Sequence, residues 1–266
     1  MTVKTDNLTK QETHVKHLLE AWSKGEGVQP LTELDPELSL DEAYQVQLHT
    51  IQQKVEQGQR ITGKKIGLTS KAMQESLGVN EPDYGHLLDQ MECPNRGKIS
   101  SAQVLQPRVE GEIAFILKGD LVGPHVTTLD VLKATDVVVP ALEIVDSRIK
   151  DWKVTLADTV ADNASSGMYI LGGRPKKVED VNLKQMGMAL YKNDELLNTG
   201  VGAAALGDPA KCVAWLANKL AGYDITLKAG EIILSGALSA AMPAEPGDHF
   251  YAKFADLGEV HVSFTE

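Results

Sequence analysis

Two apolar segments carry carboxylates where a strand ought to be oily. Glu110 and Glu112 lie in Pro107-Arg-Val-Glu-Gly-Glu-Ile-Ala-Phe-Ile-Leu117, and Glu143 lies in Val137-Val-Val-Pro-Ala-Leu-Glu-Ile-Val145. Side chains alternate across a strand, so Glu110 and Glu112 project from one face with Ala114 and Ile116, while Val109, Ile113 and Phe115 cover the other. The two carboxylates converge. Burying ionised carboxylates among apolar neighbours is costly unless a cation compensates, and no Arg or Lys follows either residue at cross-strand spacing. The pattern therefore calls for a hard, oxygen-binding ion. An all-carboxylate set with neither His nor Cys adjacent fits Mg²⁺ or Mn²⁺ better than zinc, and leaves positions for water and a chelating substrate. The competing reading is an internal ion-pair network with distant arginines such as Arg108 or Arg148.

Composition narrows the setting of that ion. A chain of 266 residues with 42% hydrophobic and 24% charged residues is long enough to bury a substantial core and has no bias toward disorder. One main domain is the economical reading. The formal net charge of −11, with no dense Lys/Arg cluster, disfavours nucleic acid and anionic lipid as partners. Cys93 and Cys212 lie far apart without zinc or CxxC spacing, and the first residues lack an apolar leader, which points to a reducing, cytoplasmic setting. No apolar run approaches the roughly 20 residues needed to span a bilayer.

The opening of the chain reads as helical. Val15, Leu18, Leu19 and Trp22 recur at helical spacing before Gly25, and Ser39-Leu-Asp-Glu42 starts a second helix whose apolar stripe runs through Ala43, Val46, Leu48, Ile51 and Val55 to Gly58. From Arg60 onward, short apolar runs separated by Gly, Pro, Asn and Asp predict strands and loops with few helices. Residues 104–118 and 137–146 read as strands, and 209–220 as a structural helix. A strand entering a turn is expected at Glu231-Ile-Ile-Leu-Ser-Gly236, followed by an alternating tail from His249 to Phe264.

Several polar positions remain ambiguous at this level. Gly63-Lys-Lys-Ile-Gly67 sends Lys64 and Lys65 to opposite faces, so one points inward unless both are solvated. A lysine near a bound carbonyl could stabilise an enolate or relay protons; burial would lower its pKa, and a carboxylate cluster would push the other way. Glu81-Pro-Asp-Tyr-Gly85 reads as a turn, or as a device that sets Asp83 against a lysine. The polar stretch from Asp158 to Gly167 either caps backbone groups or offers Asn163 and Ser165 to a bound acid. His86 is read as surface or supporting, and no GxGxxG or Walker pattern supports a nucleotide.

Taken together, GKKIGLTSKAMQESLGV, EPDYGHL, LQPRVEGEIAFIL, VVPALEIVDSRIKDWK, DTVADNASSG, AAALGDPAKCVAWLAN and GEIILSG span almost the whole chain. In that order they resemble the 2-hydroxypenta-2,4-dienoate (2-oxopent-4-enoate) hydratases of the fumarylacetoacetate hydrolase superfamily. The resemblance implies an α+β fold: a mixed β-sheet roll with flanking helices, residues 1–60 forming an N-terminal helical region and residues 61–266 the catalytic core. It implies Glu110, Glu112 and Glu143 as holders of Mg²⁺ or Mn²⁺, Lys65 as the active-site lysine and Asp83 as the acid near it. Leu68, Ser165, Ser235 and Gly236 would contact substrate, with Ser235 standing where other superfamily members carry Thr.

The implied reaction is hydration of 2-hydroxypenta-2,4-dienoate to 4-hydroxy-2-oxopentanoate in the meta-cleavage of aromatic compounds, by ketonisation and then conjugate addition of water. Decarboxylation of 4-oxalocrotonate (2-oxo-3-hexenedioate) needs the same electron sink and is the nearest alternative; a non-catalytic subunit of a hydratase–decarboxylase complex is another. The family also implies a homopentamer or decamer and association with 4-oxalocrotonate decarboxylase.

Overall fold

The computed structural model describes residues 9–76 and 78–266. The expectation about a leader falls on residues 1–8 and, with Leu77 of the lysine-bearing motif, lies outside the described residues. Three helices lead: α1 (Lys10–Lys24), α2 (Leu31–Leu34) and α3 (Leu40–Glu56). Thr9 caps α1 and Ser39 caps α3, each in a reciprocal box with Glu12 or Glu42, and Gly25 closes α1 in the left-handed region. Both helices follow the expected stripe, burying Val15, Leu18 and Ala21 on one and Ala43, Val46 and Ile51 on the other.

Strands then alternate with short helices: β1 (Ile61–Gly67), α4 (Lys71–Ser76), β2 (Asp83–Leu88), β3 (Gly97–Ser100), β4 (Arg108–Leu117), α5 (Thr128–Ala134), β5 (Thr135–Val145), α6 (Leu156–Ala161) and β6 (Ser166–Leu171). The chain continues through β7 (Gly187–Lys192), β8 (Glu195–Val201), α7 (Pro209–Leu220), β9 (Ile232–Leu234), β10 (Met242–Pro243), β11 (His249–Phe254) and β12 (Gly258–Thr265). The expectation of few helices missed α4, α5 and α6, each only six or seven residues long. Two of them start with boxes closed by Asp130 or Asp158, where the sequence signal sought is Glu or Gln.

The strands form two sheets. The larger runs β2-β1-β9-β4-β5-β6, with β10 on β4; the smaller runs β3-β12-β11-β7-β8. Pairing is antiparallel except for β1 with β9 and β3 with β12. Val109, Ile113 and Phe115 of β4 and Leu142 and Ile144 of β5 share one core with Phe250, Val260, Val262 and Phe264 of the smaller sheet. That packing uses one face of β4 and β5. Their other face carries Ala114, Val139 and Ala141, in a second cluster with Tyr169 and Leu234, and it is this face that bears the glutamates. No helix among the described residues is long and apolar enough to cross a membrane.

Candidate active site

Register alone gathers the carboxylates. Glu110 of β4 pairs directly with Glu143 of β5, and Glu112 follows two residues along on the same face. Their ligand oxygens lie within 4.8 Å of one another. Glu112 and Glu143 are fully buried, while Glu110 keeps partial exposure. Oε1 of Glu112 and both oxygens of Glu143 have no hydrogen-bond partner, although Gly236 N–H donates to Oε2 of Glu112 at 2.8 Å.

β1 brings the lysine to the same face. Lys65 pairs with Leu234 on β9, Leu234 pairs with Ala114 on β4, and Ala114 follows Glu112. Lys65 Nζ sits 3.2 Å from Glu143 Oε1, an ion pair without hydrogen-bond alignment. No Arg or Lys follows the glutamates at cross-strand spacing within their own segments; the ammonium that faces them, Lys65, arrives from a strand distant in sequence. It does not suffice alone, since one ammonium faces Glu143, Asp83, Glu110 and Glu112.

The electrostatics follow from that imbalance. Burial opposes the Lys65 ammonium, but the four carboxylates outweigh it and hold its pKa above the ordinary lysine range. Burial pushes Glu110 up to about 7, aided by Glu143. Glu112 rises well above the carboxylate range, through burial and then through Glu143 and Glu110. Asp83 also rises, because burial and Glu143 oppose the lowering pull of Lys65. Carboxylates whose pKa is raised by burial and by one another, with one ammonium among four and orphaned oxygens converging, fit a divalent cation. The arginine network does not form at these residues: Arg148 is committed to Asp162, and Arg108 lies over the Trp152 ring, its charge the least of the causes acting on Glu110.

The remaining sequence candidates divide. Asp83 sits opposite Gly67 on the β1–β2 ladder, two residues along from Lys65, so both side chains share the site face. Gly67 is a residue the sequence reading missed. A side chain there would run into the Asp83 carboxylate, and the signal was its two-residue spacing from Lys65. Leu68 has a left-handed backbone (φ 54°), its carbonyl held by Gln74 Nε2 at 2.8 Å. The Ser235 hydroxyl donates to the Ile113 carbonyl at 2.8 Å, so its proton is already engaged.

Asn163, Ala164 and Ser165 form a run of three left-handed residues, φ 54°, 50° and 52°. This turn packs on the site face beside Lys65's partner Gly85, where any Cβ would overlap the Asn163 carbonyl. Of the two readings of this stretch, backbone capping is the one Asn163 follows: Oδ1 accepts from His86 N–H and Nδ2 donates to the His86 carbonyl, completing the edge of β2. Ser165 differs, its buried hydroxyl having no partner.

Two further expectations change. Lys64 and Lys65 do point to opposite faces, yet both are buried; Lys64 reaches Glu231 Oε1 at 2.7 Å on the side away from the glutamates. His86, expected at the surface or in support, is buried on that same far face, paired with Lys64 across the ladder. Its pKa falls to about 3, chiefly through burial and secondarily through Lys64.

Comparison with known proteins accords with this geometry. Residues 87–265 match the fumarylacetoacetate (FAA) hydrolase C-terminal family. The chain is 45% identical to the 2-hydroxyhexa-2,4-dienoate hydratase of Comamonas testosteroni over 96% of this chain and 97% of that protein. It is 50% identical to a 2-hydroxypent-2,4-dienoate hydratase of Pseudomonas putida over 78% of this chain and 94% of that one. Among solved structures, the 4-oxalocrotonate decarboxylase of Pseudomonas putida G7, complexed with magnesium and adipate, superposes with a TM-score of 0.94 at 36% identity, covering 97% of this chain and 99% of that one.

Proposed function

The chain belongs to the fumarylacetoacetate hydrolase family and, within it, to the dienoate hydratases, and from that premise we propose that it adds water to 2-hydroxypenta-2,4-dienoate to give 4-hydroxy-2-oxopentanoate. The observation that carries this reading is the buried Glu110–Glu112–Glu143 trio, with its orphaned oxygens, set beside Lys65 and Asp83. Those three glutamates would hold Mg²⁺ or Mn²⁺, and the bound ion supplies Lewis acidity toward the carboxylate and 2-oxygen of the substrate.

The protein's own groups account for the rest. Lys65 stays an ammonium among its carboxylates, so it stabilises negative charge on the substrate's 2-oxygen rather than serving as a base. Asp83 shares its face and has one oxygen without a partner, so we assign it the proton traffic. The 2-hydroxyl proton leaves as a proton adds at carbon 5, giving the 2-oxo-3-enoate; water then adds its oxygen at carbon 4 and a proton at carbon 3. Ser165, Leu68 and the Ser235–Gly236 turn are proposed to seat the substrate, Ser235 through its oxygen lone pairs because its proton is engaged.

A second reading, decarboxylation of 2-oxo-3-hexenedioate, has the similarity to the solved decarboxylase behind it, at lower identity than the hydratases show. The discriminating experiment incubates the Mg²⁺-loaded protein separately with the two substrates. Formation of 4-hydroxy-2-oxopentanoate from the first without carbon dioxide from the second is expected. Carbon dioxide release alone would transfer the assignment to the decarboxylase, and turnover of neither would leave a non-catalytic subunit. The buried free thiols Cys93 and Cys212 suit a reducing cytoplasm. We extend the family's assembly as a homo-oligomer, and in complex with a decarboxylase homologue, to this chain as part of the same proposal.

A further inference from the structure

We infer that Arg148 is a positioning residue for substrate, acting through the left-handed turn at Asn163–Ser165 and held in turn by the N-terminal helices. The inference rests on the reading of the glutamate face as an oxo-acid site and adds a group that touches neither metal nor substrate.

Three consecutive non-glycine residues with positive φ form a conformation the chain does not hold unaided. Its restraints converge from both sides. On one side the Asn163 amide is locked to the His86 backbone in both directions. On the other, the buried Arg148 guanidinium donates through Nε to Asp162 Oδ1, through one terminal nitrogen to the Asp146 and Ser166 carbonyls, and through the other to the Asp162 carbonyl. Its backbone N–H and the Ser147 hydroxyl both donate to Asp162 Oδ2, at 2.9 and 3.0 Å. Arg148 therefore grips the residues immediately before and after the turn, Asp162 and Ser166. It fixes both ends of a three-residue arch whose last side chain, Ser165, is buried with an unpartnered hydroxyl. Because the planar fork spends its donors in several directions at once, a lysine ammonium cannot reproduce it.

The grip extends to the N-terminal region. The Trp22 ring of α1 covers the guanidinium, with Cζ 4.5 Å from the ring centroid, and Lys54 of α3 lies over the same ring at 3.4 Å. Gln47 of α3 donates to the carbonyls of Tyr84 on β2 and Val160 on α6, bracketing the turn's neighbours. Helices that contribute no reacting group thus act on the site by holding the arch.

A double-mutant cycle tests this on the Mg²⁺-loaded full chain, combining Arg148→Lys with Ser165→Ala and reading both hydration and calorimetric affinity for unreactive 2-oxopentanoate. Each single variant is expected to weaken 2-oxopentanoate binding about tenfold with Mg²⁺ affinity retained, and the double variant to bind no more weakly than Ser165→Ala alone. Ser147→Ala, which removes one bond to Asp162, and Trp22→Leu give the same non-additivity with about threefold effects, so the test survives if Arg148→Lys fails to fold. Additive losses, or a Ser165→Ala variant that binds 2-oxopentanoate as tightly as the unaltered protein, would overturn the inference. The hydratase reading is judged separately, by turnover of the unaltered protein, while the cycle is judged on ligand affinity.

Discussion

At the scale of single residues, one ammonium among four carboxylates decides what each charge is for. Lys65 is held protonated by its neighbours, and its removal makes the pocket more negative. Lys65→Met is therefore expected to bind Mg²⁺ at least as tightly as the unaltered protein while turnover falls by roughly 10² to 10⁴-fold. Calorimetry beside steady-state kinetics reads the two effects separately, and an unchanged kcat would remove the lysine from the chemistry. Glu112→Gln should behave in the opposite sense. It keeps the side-chain volume and an acceptor for Gly236 N–H but deletes one ligand charge, so Mg²⁺ affinity and turnover should fall together, by on the order of 100-fold or about 2.7 kcal/mol. Full activity in metal-free buffer would refute the ion's role.

At the scale of elements, strand register makes the site, and register explains what the sequence disclosed and what it hid. The face shared by Glu110 and Glu112 was legible because alternation within a strand is local, and the ends of α1 and α3 were legible because caps are local. Partners across strands were not legible. Lys64 finds Glu231, and Arg148 finds Asp162, only after the topology closes, so His86 read as peripheral and Asn163 stayed undecided between capping and a ligand. Gly85 gives a test at this scale, since a methyl group there meets backbone rather than a yielding side chain. Gly85→Ala should force the turn off β2, costing about 1–3 kcal/mol of stability and also lowering kcat/KM. Ser39→Ala, which deletes the N-cap of α3, should cost about 1 kcal/mol with kcat/KM unaltered. Denaturant midpoints and kinetics measured on both variants distinguish a shift at the site from general weakening; equal kinetics in the two would discount the close approach.

At the scale of the whole molecule, the two faces of the β1–β2 ladder carry opposite electrostatic burdens, and the far face contributes its own response to acid. His86 is buried beside Lys64, whose charge is met by Glu231, and its Nδ1 has no partner. Burial first and Lys64 second depress its pKa from 6.5 to about 3 in the folded protein. The unfolded chain then binds a proton that the folded chain refuses. Stability from this group is fully present above pH 6.5 and is lost as pH falls toward 3, at up to about 1.4 kcal/mol per pH unit. Other groups titrate over the same range, including Glu110 and Glu112, which oppose the trend because folding raises their pKa. The comparison that isolates the histidine is the difference between the unaltered protein and His86→Leu, in which those contributions cancel. Urea unfolding at pH 7 and pH 5 should show the unaltered protein losing on the order of 2 kcal/mol more than the variant across that interval. Parallel pH profiles for the two proteins would mean that the imidazole takes up its proton without unfolding, and that the far face admits charge which its burial and neighbouring ammonium argue against.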